Sequence, residues 1–320
     1  MFEPLFAVSP WFALPLLVIG FVILVKGADW LVDGASTIAA RLNIPTLVIG
    51  LTIVAFGTSA PELAVNLFAS FSGNADIAMG NIVGSNIANV LIILGLAAVI
   101  KPMTVQKSTA WYEIPLTILA AIAIYLLAND QLFGANLGIQ SFLSRSDGLI
   151  LLLFFAIFMA YVISIAMKGS FDEEVPVKSW AIPVAAFFLI VGLLMLMAGG
   201  KAIVDSAVTL AKLIGMSERI IGLTIVAIGT SLPELATSVI AARKGNSDIA
   251  IGNIVGSNIF NIFFVLGVSA TIRPLPLNPG TNGDILVNIA VSTLLFLLVF
   301  LPKRHRIGRI EGGIFLGCYA

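Results

Sequence analysis

Two glutamates, Glu62 and Glu234, lie inside long apolar stretches, each closing a Gly-Thr-Ser-x-Pro-Glu run: Gly57-Thr58-Ser59-Ala60-Pro61-Glu62 and Gly229-Thr230-Ser231-Leu232-Pro233-Glu234. A lone carboxylate at membrane depth costs at least about 2.5–3.5 kcal/mol on insertion scales, so it demands a partner or a water-filled cavity. Neither run contains lysine or arginine. Thr58 precedes Glu62 by four positions and Ser59 by three, so hydroxyls and carboxylate share a face while helical spacing persists; Thr230 and Ser231 stand in the same relation to Glu234. Proline cannot donate to the preceding turn and glycine loosens it. Carbonyls at Ala55–Thr58 and Ala227–Thr230 are therefore expected to be freed, and unwound carbonyls in a membrane are cation ligands. The bland alternative is a protonated glutamate that only packs helices.

The next apolar run supplies Asn81, Ser85 and Asn89, mirrored by Asn253, Ser257 and Asn261, each spaced by four along one helical stripe. Gly80, Gly84 and Ala88 form an adjoining stripe, with Gly252 and Gly256 in the second copy. That pattern also suits close helix packing with asparagines as interhelical glue, the plainer reading for Asn86 and Asn258. Carboxylate, hydroxyl, amide and carbonyl oxygens without sulfur or imidazole describe a site for hard cations. Magnesium gives up its water reluctantly, so a dehydrated site favours calcium or sodium. Two carboxylates balance one divalent ion and let monovalent ions compete for the same oxygens, which is the chemistry of exchange.

These residues sit in a chain of 320 residues that is 59% hydrophobic and only 11% charged, with a mean hydropathy of +1.08. Soluble proteins carry roughly 25% charged residues, so the chain is an integral membrane protein. Seventeen basic and seventeen acidic side chains cancel, which argues against nucleic acid or a basic protein as partner. A single cysteine, Cys318, and a single histidine, His305, leave no disulfide, multi-cysteine metal centre or catalytic triad. The first ten residues lack the basic segment of a secretory signal.

A membrane-crossing helix needs about 20 apolar residues. Runs of that order lie near 11–34, 46–71, 77–100, 112–128, 148–167, 180–210, 217–242, 249–271 and 283–301; a tenth begins near 308 and is too short to cross. This predicts an all-α polytopic protein of about ten transmembrane helices. Residues 1–167 form a first five-helix repeat, 168–178 a charged cytoplasmic linker, and 179–320 a second, inverted repeat. The repeat is explicit: Gly50–Asn89 laid over Gly222–Asn261, at an offset of 172, matches 28 of 40 positions. Five spans separate the copies, which predicts opposite orientations and a binding site at the repeat interface. With the N-terminus outside, eleven lysines and arginines fall in cytoplasmic connectors against four outside, the arrangement that the positive-inside rule favours.

The paired GTSxPE and GNIVGSN motifs resemble those of the cation/calcium exchanger superfamily, most closely its prokaryotic sodium/calcium exchangers, and the resemblance runs from Gly27-Ala28-Asp29 to the short tenth run. It implies ten helices, with ions held between the second, third, seventh and eighth while the first and sixth slide. It places the central acids on Glu62 and Glu234 and the amides on Asn89 and Asn261. The hydroxyls fall on Thr58, Ser59, Ser85, Thr230, Ser231 and Ser257, and the backbone carbonyls on Ala55 and Ala227. The implied activity is alternating-access exchange of sodium for calcium in the plasma (inner) membrane. Calcium and sodium are cargo, so no resident cofactor, catalytic residue or obligatory protein partner is implied. Asparagine rather than aspartate at 261 argues against potassium co-transport, and proton-coupled calcium exchange is the leading alternative.

Other features read more plainly. Lys201 and Asp205, four apart, suit an ion pair, and Lys26, Asp29 and Asp33 cluster in the matching region of the first run. Lys303-Arg304-His305-Arg306 is a cytoplasmic anchor, and Trp11, Trp30, Trp111 and Trp180 mark the membrane interface. A channel would use similar oxygens, but broken helices in an inverted repeat favour a carrier. An intramembrane enzyme lacks a nucleophile–base arrangement.

Overall fold

The computed structural model describes residues 10–129, 141–169, 177–216, 227–278, 280–300 and 305–320. It is built from helices, numbered here in chain order. The first half has α1 (Ala13–Leu42), α2 (Thr46–Thr58), α3 (Ala60–Ser72), α4 (Ala75–Ile100), α5 (Thr109–Leu127) and α6 (Arg145–Lys168). The second has α7 (Ile182–Leu213), α8 (Ala227–Thr230), α9 (Leu232–Lys244), α10 (Ser247–Ile272), α11 (Thr281–Phe300) and α12 (Arg309–Tyr319).

Among the described residues seven helices are long and apolar enough to span a bilayer, and α2 with α3, bent by 47° at Ser59, makes an eighth. The expected count of ten is therefore met only in part. The span near 217–242 is described only from Ala227, and α12, at 11 residues, rises about 16 Å against a hydrocarbon thickness of about 30 Å. Residues 170–176 of the expected linker lie outside the described part of the chain.

Short polar sequences set the boundaries. α1 ends where Asn43 turns left-handed, with φ of 53°, just before Pro45. α3 ends at Gly73 and α9 at Gly245, with φ of 76° and 84°. The asparagine after each glycine then caps the next helix: Asn74 accepts the Ile77 N–H at 3.3 Å and Asn246 that of Ile249 at 3.0 Å. One Gly-Asn pair thus stops one helix and starts another in both copies.

The helices form a centre and a rim. In the most apolar window of α10, 94% of residues are buried, and 72% in that of α4, against 17% for α6, which puts the two motif-bearing helices inside. α1 and α7 lie side by side through glycines that run in opposite senses. A Cβ on Gly192 would sit 2.7 Å from the Gly27 carbonyl oxygen, and one on Gly199 2.8 Å from that of Gly20. Two short antiparallel pairs stitch the halves together: β1 (Met103–Thr104) with β4 (Arg306–Ile307), and β2 (Phe142–Leu143) with β3 (Leu275–Pro276).

Candidate ion-binding site between α3, α4, α9 and α10

Each glutamate sits in the first turn of its helix, just past a break. Ser59 and Ser231 occupy those breaks with nearly identical backbone angles, φ/ψ of −84°/7° and −88°/6°. Pro61 and Pro233 follow, and a proline has no N–H to return to the turn before it. Both carboxylates are 1% exposed.

The serine of each motif serves the glutamate of the other. Ser59 Oγ donates to Glu234 Oε1 at 2.9 Å, and Ser231 Oγ donates to Glu62 Oε1 at 3.3 Å. Ser85 on α4 adds a second donor to Glu62 Oε1 at 3.4 Å and lies 3.4 Å from Ser231 Oγ. Thr230 approaches the Glu62 carboxylate, and Thr58 and Ser257 that of Glu234. Thr58 donates to Asn253 Oδ1 at 2.9 Å, joining α2 to α10. Asn253 in turn donates to the Glu234 carbonyl at 3.4 Å and Ser238 Oγ at 2.9 Å; in the first copy Asn81 reaches the Glu62 carbonyl at 3.3 Å and Asn66 Oδ1 at 2.8 Å.

The amides one turn beyond Ser85 and Ser257 are held from behind. Asn86 and Asn258 cross the interface between α4 and α10 reciprocally: the amide of Asn86 donates to the Asn258 carbonyl at 3.1 Å, and that of Asn258 to the Asn86 carbonyl at 3.3 Å. The side-chain oxygen of Asn258 accepts from Asn89 at 2.9 Å, and that of Asn86 from Asn261 at 3.1 Å. Asn89 and Asn261 each open a π-helical turn, Asn89–Leu94 and Asn261–Leu266, a widening that occurs frequently at functional sites. The packing reading of Asn86 and Asn258 therefore describes their contacts, and these contacts also fix the neighbouring amides.

This network leaves a defined set of buried oxygens without a hydrogen-bond partner: Glu62 Oε2, Glu234 Oε2, Asn89 Oδ1, Asn261 Oδ1 and Ser257 Oγ. A buried polar atom without a partner carries a desolvation cost of about 1–3 kcal/mol, more when charged. Five oxygens of this kind, two from carboxylates, match the donor set of a hard cation. Among the described residues no group of three or more His, Cys, Asp or Glu forms a cluster suited to a metal ion, so the oxygen set relies on neutral donors around two acids.

The carbonyl expectation needs adjustment. The Ala55 oxygen accepts the Ser59 N–H at 3.0 Å and the Thr58 hydroxyl at 3.3 Å, so helical structure persists to Thr58 and the break falls after it. Ala227 opens α8, at the edge of the described residues. Three participants were not singled out in the sequence: the buried Asn66 and Ser238 and the part-buried Lys244. Asn66 and Ser238 are equivalent positions 172 apart but differ in type, which hides them from a motif comparison. Lys244, the last residue of α9, bonds Asp29 at 2.7 Å and Asp33 at 2.6 Å and ties α9 to α1. Lys201 pairs with Asp205 at 3.2 Å, as its spacing suggests.

Broken helices, paired acids and an oxygen-only donor set at the centre of a polytopic helical bundle define a cation transporter. Residues 12–164 and 184–320 match the family model described as sodium/calcium exchanger protein, so the chain belongs to that family and is a multi-pass membrane cation/calcium exchange transporter. It is similar to the inner membrane protein YrbG of Escherichia coli K12, 38% identical with 95% of this chain and 94% of the relative covered. It is also similar to the sodium/calcium exchanger MaX1 of Methanosarcina acetivorans, 35% identical over 95% of each chain. Among solved structures, one of the sodium-calcium exchanger NCX_Mj superposes with a TM-score of 0.83 at 32% identity, covering 97% of both chains.

Proposed function

We propose that this transporter exchanges sodium for calcium by alternating access at a site between two inverted repeats. The observation that carries the reading is the reciprocal Ser59–Glu234 and Ser231–Glu62 pairing, which leaves one oxygen of each carboxylate unpartnered and buried. Glu62 and Glu234 hold the divalent ion; Asn89, Asn261, Thr58, Ser59, Ser85, Thr230, Ser231, Ser257 and the Ala227 carbonyl complete the sodium and calcium sites, and the Ala55 carbonyl joins them once the Thr58 hydroxyl turns from it to the ion. Several sodium ions displace calcium because they occupy the same oxygens and balance the same two charges. The antiparallel glycine contact of α1 with α7, at positions 172 apart, supports the inverted arrangement. The likeness to NCX_Mj, whose crystals were soaked with sodium and strontium, supports sodium as the driving ion. The name of YrbG supports an inner membrane location, and the lysine and arginine distribution supports an outside N-terminus.

Proton coupling is the second reading, and one observation favours it: among the described residues no lysine or arginine pairs with either buried carboxylate, so a proton is an available counter-charge. The deciding experiment is radioactive calcium uptake into sodium-loaded liposomes diluted into sodium-free buffer, beside a proton-gradient arm and Glu62→Gln. Uptake driven by sodium and lost in the variant is the expected result. Uptake driven by protons alone would replace sodium by proton coupling, and uptake unchanged by Glu62→Gln would overturn the site.

A further inference from the structure

Where α1 meets α9 lies a groove of about 740 Å3, lined by none of the residues of the ion site. Phe21, Val22, Val25 and Ile240 line its apolar part, and Lys26, Asp29, Arg243 and Lys244, further along both helices, its charged mouth. Phe21, Val22 and Val25 are 46%, 64% and 47% exposed on a membrane-crossing helix, so the groove faces hydrocarbon. From Phe21 to Asp29 is about 12 Å along the helix axis, enough for an extended stretch of acyl chain beneath a headgroup.

The mouth lies where α9 stops, at Lys244 and Gly245, and among the described residues its charges do not cancel. Lys244 is engaged by Asp29 and Asp33, Lys26 bonds Asp29 at 3.1 Å, and Lys178 stands 3.8 Å from Asp33. Among the described residues no carboxylate pairs with Arg243, which is exposed. Among the described residues four cations thus meet two carboxylates at the edge of an apolar slot. A zwitterionic lipid fills the slot equally well but brings its own cation to the mouth.

We infer that this groove holds one anionic glycerophospholipid, its phosphodiester between Lys26 and Arg243 and one acyl chain along Phe21, Val22 and Val25. The same mouth carries the Lys244 link from α9, the helix of Glu234, to α1, so the lipid sits against the contact between these two helices.

The test is native mass spectrometry of the full chain in detergent with equimolar phosphatidylglycerol and phosphatidylcholine, beside a Lys26→Gln/Arg243→Gln double variant. One phosphatidylglycerol retained in preference, with the preference falling about tenfold in the double variant, is expected from two basic side chains near an anionic headgroup. Lys107→Gln/Lys168→Gln, which removes two charges elsewhere, should leave the preference intact, and thermal melting checks that each variant is folded. Equal retention of the two lipids, or the same loss in both double variants, overturns the site. Displacement of the lipid by glycerol phosphate alone would overturn the acyl-chain contact. Calcium uptake is not the readout, so failure here is distinct from failure of the exchange reading.

Discussion

At the scale of residues, the bundle concentrates its polar chemistry on two acids and arranges neutral oxygens around them. Removing one charge with little change of shape separates ion binding from packing. Glu62→Gln and Glu234→Gln should each lower sodium-dependent calcium uptake at least about 100-fold, equivalent to roughly 3 kcal/mol, while the protein still inserts and melts cooperatively. Uptake within a few-fold of the parent in either variant would remove that carboxylate from the site. Asn86 acts differently, since it touches Asn258 and Asn261 rather than an unpartnered oxygen. Asn86→Leu leaves Asn261 without its acceptor and should cost about 1–3 kcal/mol of stability. A lower melting temperature together with weaker calcium competition is the expected pair of outcomes; weaker competition with unchanged melting would make Asn86 a direct ligand.

At the scale of elements, glycine contacts decide how α1 and α7 meet. Gly192 lies so close to α1 that a methyl group would sit 2.7 Å from a carbonyl oxygen and from the Leu31 backbone nitrogen. Both neighbours are backbone, so the helices must separate rather than a side chain swing away. Gly192→Ala should destabilise the protein by about 1–3 kcal/mol, read as a lower melting temperature, because overpacking forces backbone shifts. Gly313→Ala, at a position with nothing within 4 Å of the added carbon, should change melting little. Helix ends were readable in advance where Gly-Asn pairs stop one helix and cap the next. The π-helical turns at Asn89 and Asn261 were not, because no residue type or spacing in Asn89–Leu94 or Asn261–Leu266 separates a π turn from an α-helical one.

At the scale of the whole molecule, topology is the testable property. With the N-terminus outside, the connector at Asn74 faces out and Ser179, beyond the linker, faces the cytoplasm. In a chain carrying Cys318→Ser, Asn74→Cys should react with an impermeant thiol reagent from outside intact cells, and Ser179→Cys only after the membrane is opened. The reverse pattern would invert the assignment while leaving the fold intact. The two short strand pairs bear on the same scale, because each joins residues of one half to residues of the other.

The sequence by itself determined the membrane class, the duplicated motifs and the two acids. Apolar content, a 40-residue internal repeat and charged groups in apolar runs are local properties that need no neighbour to be read. It also marked Ser59, Ser85 and Ser231, since their spacing from the glutamates or their place in the repeat is written in the chain. Only the tertiary structure decided that Ser59 and Ser231 each bond the opposite glutamate, that Asn86 and Asn258 hold the neighbouring amides, and that Lys244 bridges to α1. Those pairings join residues 169–215 positions apart. Short-range periodicity says which face a side chain takes, whereas the partner on that face is fixed by how the two halves pack against each other.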